Sequence, residues 1–517
     1  MEIVRLEENS IRWAIEHIKK QKDTDLFPKL KEYDYLFEDE EYLVTKVLEI
    51  DIENYVWQPY RRFIIPKDEY SYRAAIQLDP IDNLIVVAIT HQFGQKIEDK
   101  RVPITENKVF NYRFSPKSDG ELYDKKEAWK NFWSVSKEKS KEYGYVVYID
   151  ISDFYNRIYH HTLENQLIDC GFENSVIKAI MNMLKKTTQI TSQGIPVGPH
   201  SMHLYAEMCL IPLDDSLNSK DYNYCRYSDD IIVFVDTIVE GQIVIYELAK
   251  ILDTLKLNMQ RHKTKIFTKD EFQNHCEEML KDNPINELEA EMINIIRTYS
   301  TDPYASIGID NINEIDKKVF SEERIENILV SYLQHNKDYQ RIRWLFRRLS
   351  SVGVGTAVNI AVRKMDVLMP AISDVALYFA SVADESQDVL NDTGEALLAL
   401  LERPIVSSNE FFQITILNLF ANTNKFNHIS KLIGMYGRST DFIKRELILA
   451  GRTAGAKSWI REIKQDFQAL GIWSQRALIM ASELLMKDER KYFIQSAMQN
   501  QNNLAIEIIS RNIRNKP

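Results

Sequence analysis

The chain has 517 residues, more than a single hydrophobic core usually organises, so two or more domains are expected. Its 44% hydrophobic and 27% charged residues are those of an ordinary soluble globular protein, and no apolar run nears the ~20 residues of a membrane span. A formal net charge of −11 excludes nucleic-acid binding through overall basicity and leaves only local patches or metal ions for that purpose.

Near the N-terminus, MEIVRLEENS carries three Glu and lacks the apolar core of a secretory signal. The four cysteines (Cys170, Cys209, Cys225, Cys276) form no CxxC pair. They read as reduced core thiols, and a cytoplasmic location is expected. KEYDYLFEDEEYL places Tyr33, Tyr35 and Tyr42 in an acidic, helix-like stretch. Up to about residue 270 the pattern is mixed α/β, with strand-like runs at Tyr143–Ile151 and Tyr224–Val235. From about residue 285 helical patterns succeed one another: Ile325–Leu333, Ile342–Leu349, Glu395–Leu401, Phe411–Phe420, Phe442–Leu449 and Gln475–Leu485. The charged segment Lys269–Pro284, ending in DNP, marks the junction. The expected class is α+β: a mixed domain over 1–275, then an all-α domain over 276–517 built as a HEAT-like array or a plain bundle.

Two carboxylate sites stand out. YVVYIDISDFY is an apolar strand ending at Asp150, followed by Asp153, Phe154 and Tyr155. CRYSDDIIVF places Asp229 and Asp230 between two strand-like runs. Each alone is most simply a strand-end or hairpin-turn carboxylate. Together, a hairpin tip beside the end of a neighbouring strand would bring Asp150 and Asp229 to the same divalent ions. Magnesium is typically held by one or two carboxylates plus substrate phosphates, and paired ions serve phosphoryl transfer. Between the two sites, SQGIPVGPHSMHLYAEM has two Gly and two Pro within six residues, either an ordinary loop and N-cap or a rigid platform for close backbone approach. His160-His161 and His200/His203 lack partners in the sequence for a metal site and read as helix-surface residues. QRIRWLFRR (Gln340–Arg348) reads as a solvated helix face with an apolar stripe, with DNA contact as the alternative.

In order and spacing these segments resemble motifs A, B and C of reverse transcriptases: Asp150 with Phe154 and Tyr155, then Gln193-Gly194-Ile195-Pro196-Val197-Gly198-Pro199, then Tyr227-Ser228-Asp229-Asp230. LKLNMQRHKTK is similar to motif D, with Lys263 at its lysine. RRFIIPKDEYSYR and DNLIVVAI resemble the fingers segments. The resemblance spans about residues 60–265 and implies a palm-and-fingers fold with nucleotidyltransferase activity. It makes Asp150, Asp229 and Asp230 catalytic, with Asp150, the Ile151 carbonyl, Asp229 and Asp230 holding Mg²⁺ (or Mn²⁺). It places Lys67, Arg73, Asp153, Phe154, Tyr155, Gln193, Gly194 and Lys263 around the nucleotide. Tyr155 falls at the gate that excludes a ribose 2′-hydroxyl. Lys263 falls where a general acid would serve pyrophosphate, although by itself it reads equally as a solvated helix lysine. Lys67 and Arg73 by themselves read equally as surface charges.

DISDFYNRIYHH with a long helical C-terminal half further resembles the abortive-infection polymerases of bacterial phage defence. That implies dNTP substrates, untemplated and protein-primed synthesis of single-stranded DNA that stays covalently attached, and a homo-oligomer without membrane contact. Tyr33, Tyr35 and Tyr42 are then candidate priming hydroxyls in an acidic stretch that could reach the ions, each reading equally as a packing aromatic on an amphipathic helix. After Lys265 no primer-grip hairpin or compact thumb is legible, in keeping with this reading. An RNA-templated enzyme of the retron or group II intron kind is the alternative.

Overall fold

A computed structural model describes residues 4–24, 26–124, 127–189, 191–280, 284–299, 307–334, 337–382, 387–499 and 501–516. Its strands are β1 (Arg61–Pro66), β2 (Tyr72–Gln77), β3 (Arg113–Phe114), β4 (Tyr123–Asp124), β5 (Tyr145–Asp150), β6 (Tyr224–Tyr227), β7 (Asp230–Val235) and β8 (Lys265–Thr268). The chain folds into two compact units. One comprises Met1–Asp25, Glu40–Tyr60 and Ile76–Asp282, the other Leu26–Asp39, Arg61–Ala75 and Asn283–Pro517. Two N-terminal stretches thus pack with the C-terminal helices, which the sequence reading did not foresee. Residues 281–283, inside the expected junction, lie outside the described residues.

The first unit is built on an antiparallel sheet of order β6-β7-β5-β8. β7 is apolar at every position after Asp230 because both faces are covered. Val146, Cys225, Ile232 and Phe234 pack with Phe132 and Trp133 of helix Ala128–Ser140 and with Phe272 and Cys276 of helix Lys269–Leu280. On the other face, helix Ile238–Thr254 sits close enough that a Cβ on Gly241 would lie 3.1 Å from Ile266 and 3.3 Å from Val147. That helix starts at a capping box between Thr237 and Glu240. The sheet is therefore covered on both faces, and Asp150 and the β6–β7 turn lie together at one end of its strands. All four cysteines are free and buried.

In the second unit every described element after residue 283 is helical. Helix Tyr339–Val352 packs on Ile372–Ser381, which packs on Glu410–Asn422. Asp441–Thr453, Ile472–Ala481 and Leu504–Arg514 follow in the same manner, and Glu32–Leu36 packs on the last of these. Buried within the unit is an ionic network. Arg445 Nε donates to Glu32 at 3.0 Å, Arg61 to Glu446 at 3.1 Å, and Asn418 to Glu446 at 3.2 Å. The Trp473 ring lies 4.8 Å from the Arg61 guanidinium and 4.2 Å from that of Arg476. Burial penalises the Glu32 carboxylate, but Arg445 and Arg476 outweigh it and pull its pKa down to about 2.

The helix Tyr339–Val352 buries Ile342, Leu345, Phe346 and Leu349 as the apolar stripe predicts. Its arginines are engaged within the unit: Arg341 with Glu289, Arg347 with Asp374, Arg343 with the Lys67 and Pro370 carbonyls. Arg348 is buried rather than solvated, its guanidinium 3.5 Å from the Trp344 ring centre. Tyr33 is fully buried, and Tyr35 is buried with its hydroxyl donating to Glu483 at 3.0 Å. Neither tyrosine stands in an exposed acidic arm.

Candidate active site

Asp150 ends β5 because the apolar run stops there, and the register sets it directly opposite Asp230, the first residue of β7. The intervening Ser228 and Asp229 make the β6–β7 turn, since Tyr227 pairs with Asp230. Ser228 adopts φ +55°, a left-handed conformation that hairpins usually give to glycine. The neighbouring strand is tied to this turn, with the Ile151 N–H donating to the Asp229 carbonyl at 3.0 Å. Three carboxylates are thus gathered at one lip of the sheet.

Their electrostatics are unfavourable. Burial, the larger cause, raises the Asp229 pKa above the usual carboxylate range, and the charge of Asp150 adds to it. Burial likewise pushes Asp230 up to about 6, with Asp229 and Asp150 adding, although the Tyr148 hydroxyl donates to it at 2.5 Å. Lys263 Nζ lies 2.5 Å from Asp150 Oδ2. Burial opposes the Lys263 charge, but the bond to Asp150 and the field of Asp229 and Asp230 raise its pKa. Lys263 sits in a turn before β8 rather than on a helix, and its exposed side chain pairs with Asp150. One ammonium facing three carboxylates leaves an excess of negative charge at the lip.

A divalent cation fits this donor set: hard oxygen ligands, partly buried, with surplus negative charge. Among the described residues no group of three or more His, Cys, Asp or Glu side chains closes into a ready cage. Asp150 is engaged by Lys263 and Asp230 by Tyr148. An ion of the magnesium type needs only one or two of these carboxylates when substrate phosphates supply the rest.

The Gly-Pro segment is lashed to the same region. Gly194 N–H donates to the Ile158 carbonyl at 2.8 Å, Ile195 N–H to the Tyr155 carbonyl at 3.0 Å, and Ile76 N–H to the Val197 carbonyl at 2.8 Å. A Cβ on Gly198 would lie 2.3 Å from the Ile76 carbonyl oxygen, so only glycine permits this approach. Gln193 is exposed and Gly194 buried. Asp153 is exposed, at φ +50°, and accepts from Asn156 at 2.8 Å; Phe154 behind it is buried. Tyr155 is half-buried, and burial first, then the nearby Tyr112 and Glu207, raise its pKa so that the phenol is neutral. Lys67 is exposed and Arg73 half-buried; both belong to the second compact unit, whereas the carboxylates belong to the first.

Several supporting residues were missed in the sequence. Arg226 is fully buried between Asp214 (2.9 Å from Nε), Glu207 (2.9 Å) and the Ser228 carbonyl (3.1 Å). It pins the strained turn to the helix Met202–Met208, which carries Glu207. Arg101 adds a second cation on Glu207 at 2.8 Å. Burial opposes the Glu207 charge, but Arg226 and Arg101 outweigh it and lower its pKa. The signal was present: an Arg in the strand CRY and a Glu in the apolar run HLYAEMCL need each other if both are buried. His160, expected on a helix surface, is buried, its Nε2 2.8 Å from the Gly194 carbonyl. His203 is bound to Tyr155.

Residues 65–275 match the family model described as reverse transcriptase (RNA-dependent DNA polymerase). No curated protein matches the chain. Among solved structures, a telomerase from Candida albicans in complex with a fragment of telomeric RNA aligns over 74% of this chain and 70% of that one, at 10% identity and a TM-score of 0.30. No helix among the described residues is long and apolar enough to cross a membrane. The lip of carboxylates lies inside the matched region, and the chain carries a reverse transcriptase domain, a nucleotidyltransferase of the polymerase type.

Proposed function

We propose that the protein is a metal-dependent DNA polymerase that adds dNTPs without copying a template, primed on the protein itself, in abortive infection against phage. The polymerase chemistry rests on one observation: Asp150 paired in register with Asp230, with Asp229 at the turn between β6 and β7. Asp150 and Asp229, with Asp230 and the Ile151 carbonyl in support, would hold Mg²⁺ or Mn²⁺. Bound divalent ions supply activation of the attacking hydroxyl and stabilisation of the leaving oxygen. Lys263, which bonds Asp150, would hand a proton to departing pyrophosphate. The Tyr155 ring excludes a 2′-hydroxyl and Asp153, Phe154, Gln193 and Gly194 line the nucleotide, while the family resemblance alone assigns Lys67 and Arg73 to the triphosphate.

The template-free reading rests on the resemblance to the abortive-infection polymerases, and the helical elements described after β8 are in keeping with it. The antiphage role and a homo-oligomeric state rest on the resemblance of DISDFYNRIYHH and the helical half. Self-priming gains no support from Tyr33 and Tyr35, whose burial would require local unfolding before either hydroxyl could act. The half-buried Tyr42 is the remaining N-terminal donor.

The test incubates purified protein with Mg²⁺ and each dNTP, without nucleic acid. A labelled product that stays with fully denatured polypeptide until nuclease is added is the expected result. Label that runs free of denatured protein contradicts self-priming. Synthesis that requires an added RNA template favours the second reading, an RNA-templated enzyme, which the description of the matched family supports.

A further inference from the structure

The Tyr155 hydroxyl lies 2.6 Å from His203 Nδ1. His203 sits on helix Met202–Met208, just after the Gly-Pro segment, and its ring meets that of Tyr155 edge-on at 5.7 Å. A face of the imidazole stacks on Tyr112, with centroids 4.1 Å apart and planes 5° from parallel. Tyr112 is itself held at φ +45°, so the stacking partner is fixed by an unusual backbone. A neutral phenol and an imidazole clamped on one face make a directional bond, which packing alone does not.

Behind His203 lies a cavity of about 370 Å³, lined by Tyr112, Tyr123, Trp129, Tyr227 and His203 among others. Tyr155 does not line it. His203 thus touches both the Tyr155 hydroxyl and this space. Deleting the imidazole would remove the hydroxyl's partner and also open room beside the Tyr155 ring.

We infer that His203 is a positioning residue for sugar selection: by bonding the Tyr155 hydroxyl beside the cavity, it fixes the ring where a ribose 2′-hydroxyl would have to fit. The inference rests on the proposed polymerase function and goes beyond it, because nothing in motif spacing marks His203. A lost hydrogen bond of this kind corresponds to a change of about two- to tenfold in discrimination.

The experiment measures kcat and KM for dNTP and rNTP incorporation by the full chain and its variants His203→Ala, His203→Asn, Tyr155→Phe and the Tyr155→Phe/His203→Ala double variant. His203→Ala should lower the dNTP-to-rNTP preference about two- to tenfold, chiefly through a lower KM for rNTPs. His203→Asn, which keeps a polar group near the Nδ1 position, should restore most of it. The two single changes should add to less than their sum in the double variant, because both cut the same bond. A general loosening of the fold would depress both substrates together and leave the ratio alone, so a folded His203→Ala variant with an unchanged ratio overturns the inference. Full additivity with Tyr155→Phe overturns it equally. Wild-type protein that incorporates no nucleotide under any condition overturns the proposed function and this inference with it, and is told apart by the silent wild type.

Discussion

The carboxylates at the lip of the first unit and those buried in the second are the same chemical groups under opposite regimes. Glu32 is fully buried, yet Arg445 and Arg476 hold it ionised, with a pKa near 2. Asp229 and Asp230 are less buried, yet burial and then neighbouring carboxylates raise both, Asp150 acting on Asp229, and Asp229 with Asp150 pushing Asp230 to about 6. Within the first unit the contrast repeats over a short stretch of chain: Arg226 finds two carboxylates and a carbonyl, while three residues later Asp229 is left beside more negative charge. A fold that can balance Glu207, Asp214 and Glu32 is able to balance buried acids. On the proposed reading, the lip is left in excess because its countercharge comes from bound ions and substrate, whereas the other networks are closed by the chain's own arginines.

The largest expected effect is on the lip. Asp229→Asn keeps the size of the side chain and should cut nucleotide incorporation by roughly a thousandfold or more, since loss of a metal ligand forfeits several kcal/mol of transition-state stabilisation. The folded structure should survive, which circular dichroism and a melting curve would check. Incorporation near the wild-type rate would remove Asp229 from the site. At the balanced network the same kind of change should act on the fold instead. Arg226→Met leaves Asp214 buried without this cation and Glu207 with Arg101 alone, and should cost about 3 kcal/mol or more in chemical denaturation. A cost under about 1 kcal/mol would mean that the network is not the anchor of the turn.

The pH dependence sharpens the contrast further. A carboxylate whose folded pKa is raised contributes its stability below its unfolded pKa of 3.8, and loses it as pH rises through about 6. In chelator, Asp230→Asn should therefore stabilise the protein by about 2 kcal/mol at pH 8 and have almost no such effect at pH 4. Glu32 behaves in the opposite sense, its contribution present above pH 4.5 and lost as pH falls toward 2. A gain from Asp230→Asn that is equal at both pH values would show that charge is not its cause. The smallest effect concerns selectivity rather than rate or stability. Tyr155→Ala should raise rNTP use relative to dNTP, on the order of tenfold in a competition assay, with metal binding retained. An unchanged ratio would take Tyr155 out of the gate.

Much of the lip was legible because apolar runs fix strand ends. YVVYID must stop at its carboxylate, and two residues between paired strands must be a turn, so Asp150, Asp229 and Asp230 could be brought together from pattern alone. The helices of the C-terminal half were legible for the same reason, their buried stripes recurring with helical period. What escaped were side chains whose meaning lies in a distant partner. Arg226 depends on Glu207 and Asp214, His203 on Tyr155 and Tyr112, and Lys263 on Asp150; no local spacing encodes such pairs. The packing of Leu26–Asp39 and Arg61–Ala75 with the C-terminal helices escaped too, because Glu32 and Arg61 find their charge partners about 400 residues further along the chain.

The central claim is that divalent ions and a triphosphate complete the charge of this lip. It is tested most directly by melting wild-type protein and an Asp150→Asn/Asp229→Asn variant at pH 8, each in chelator and then with Mg²⁺ and a dNTP. The account predicts that Mg²⁺ with dNTP raises the wild-type melting temperature in a concentration-dependent manner and leaves that of the variant unmoved. Equal shifts in both proteins, or none in either, would contradict it.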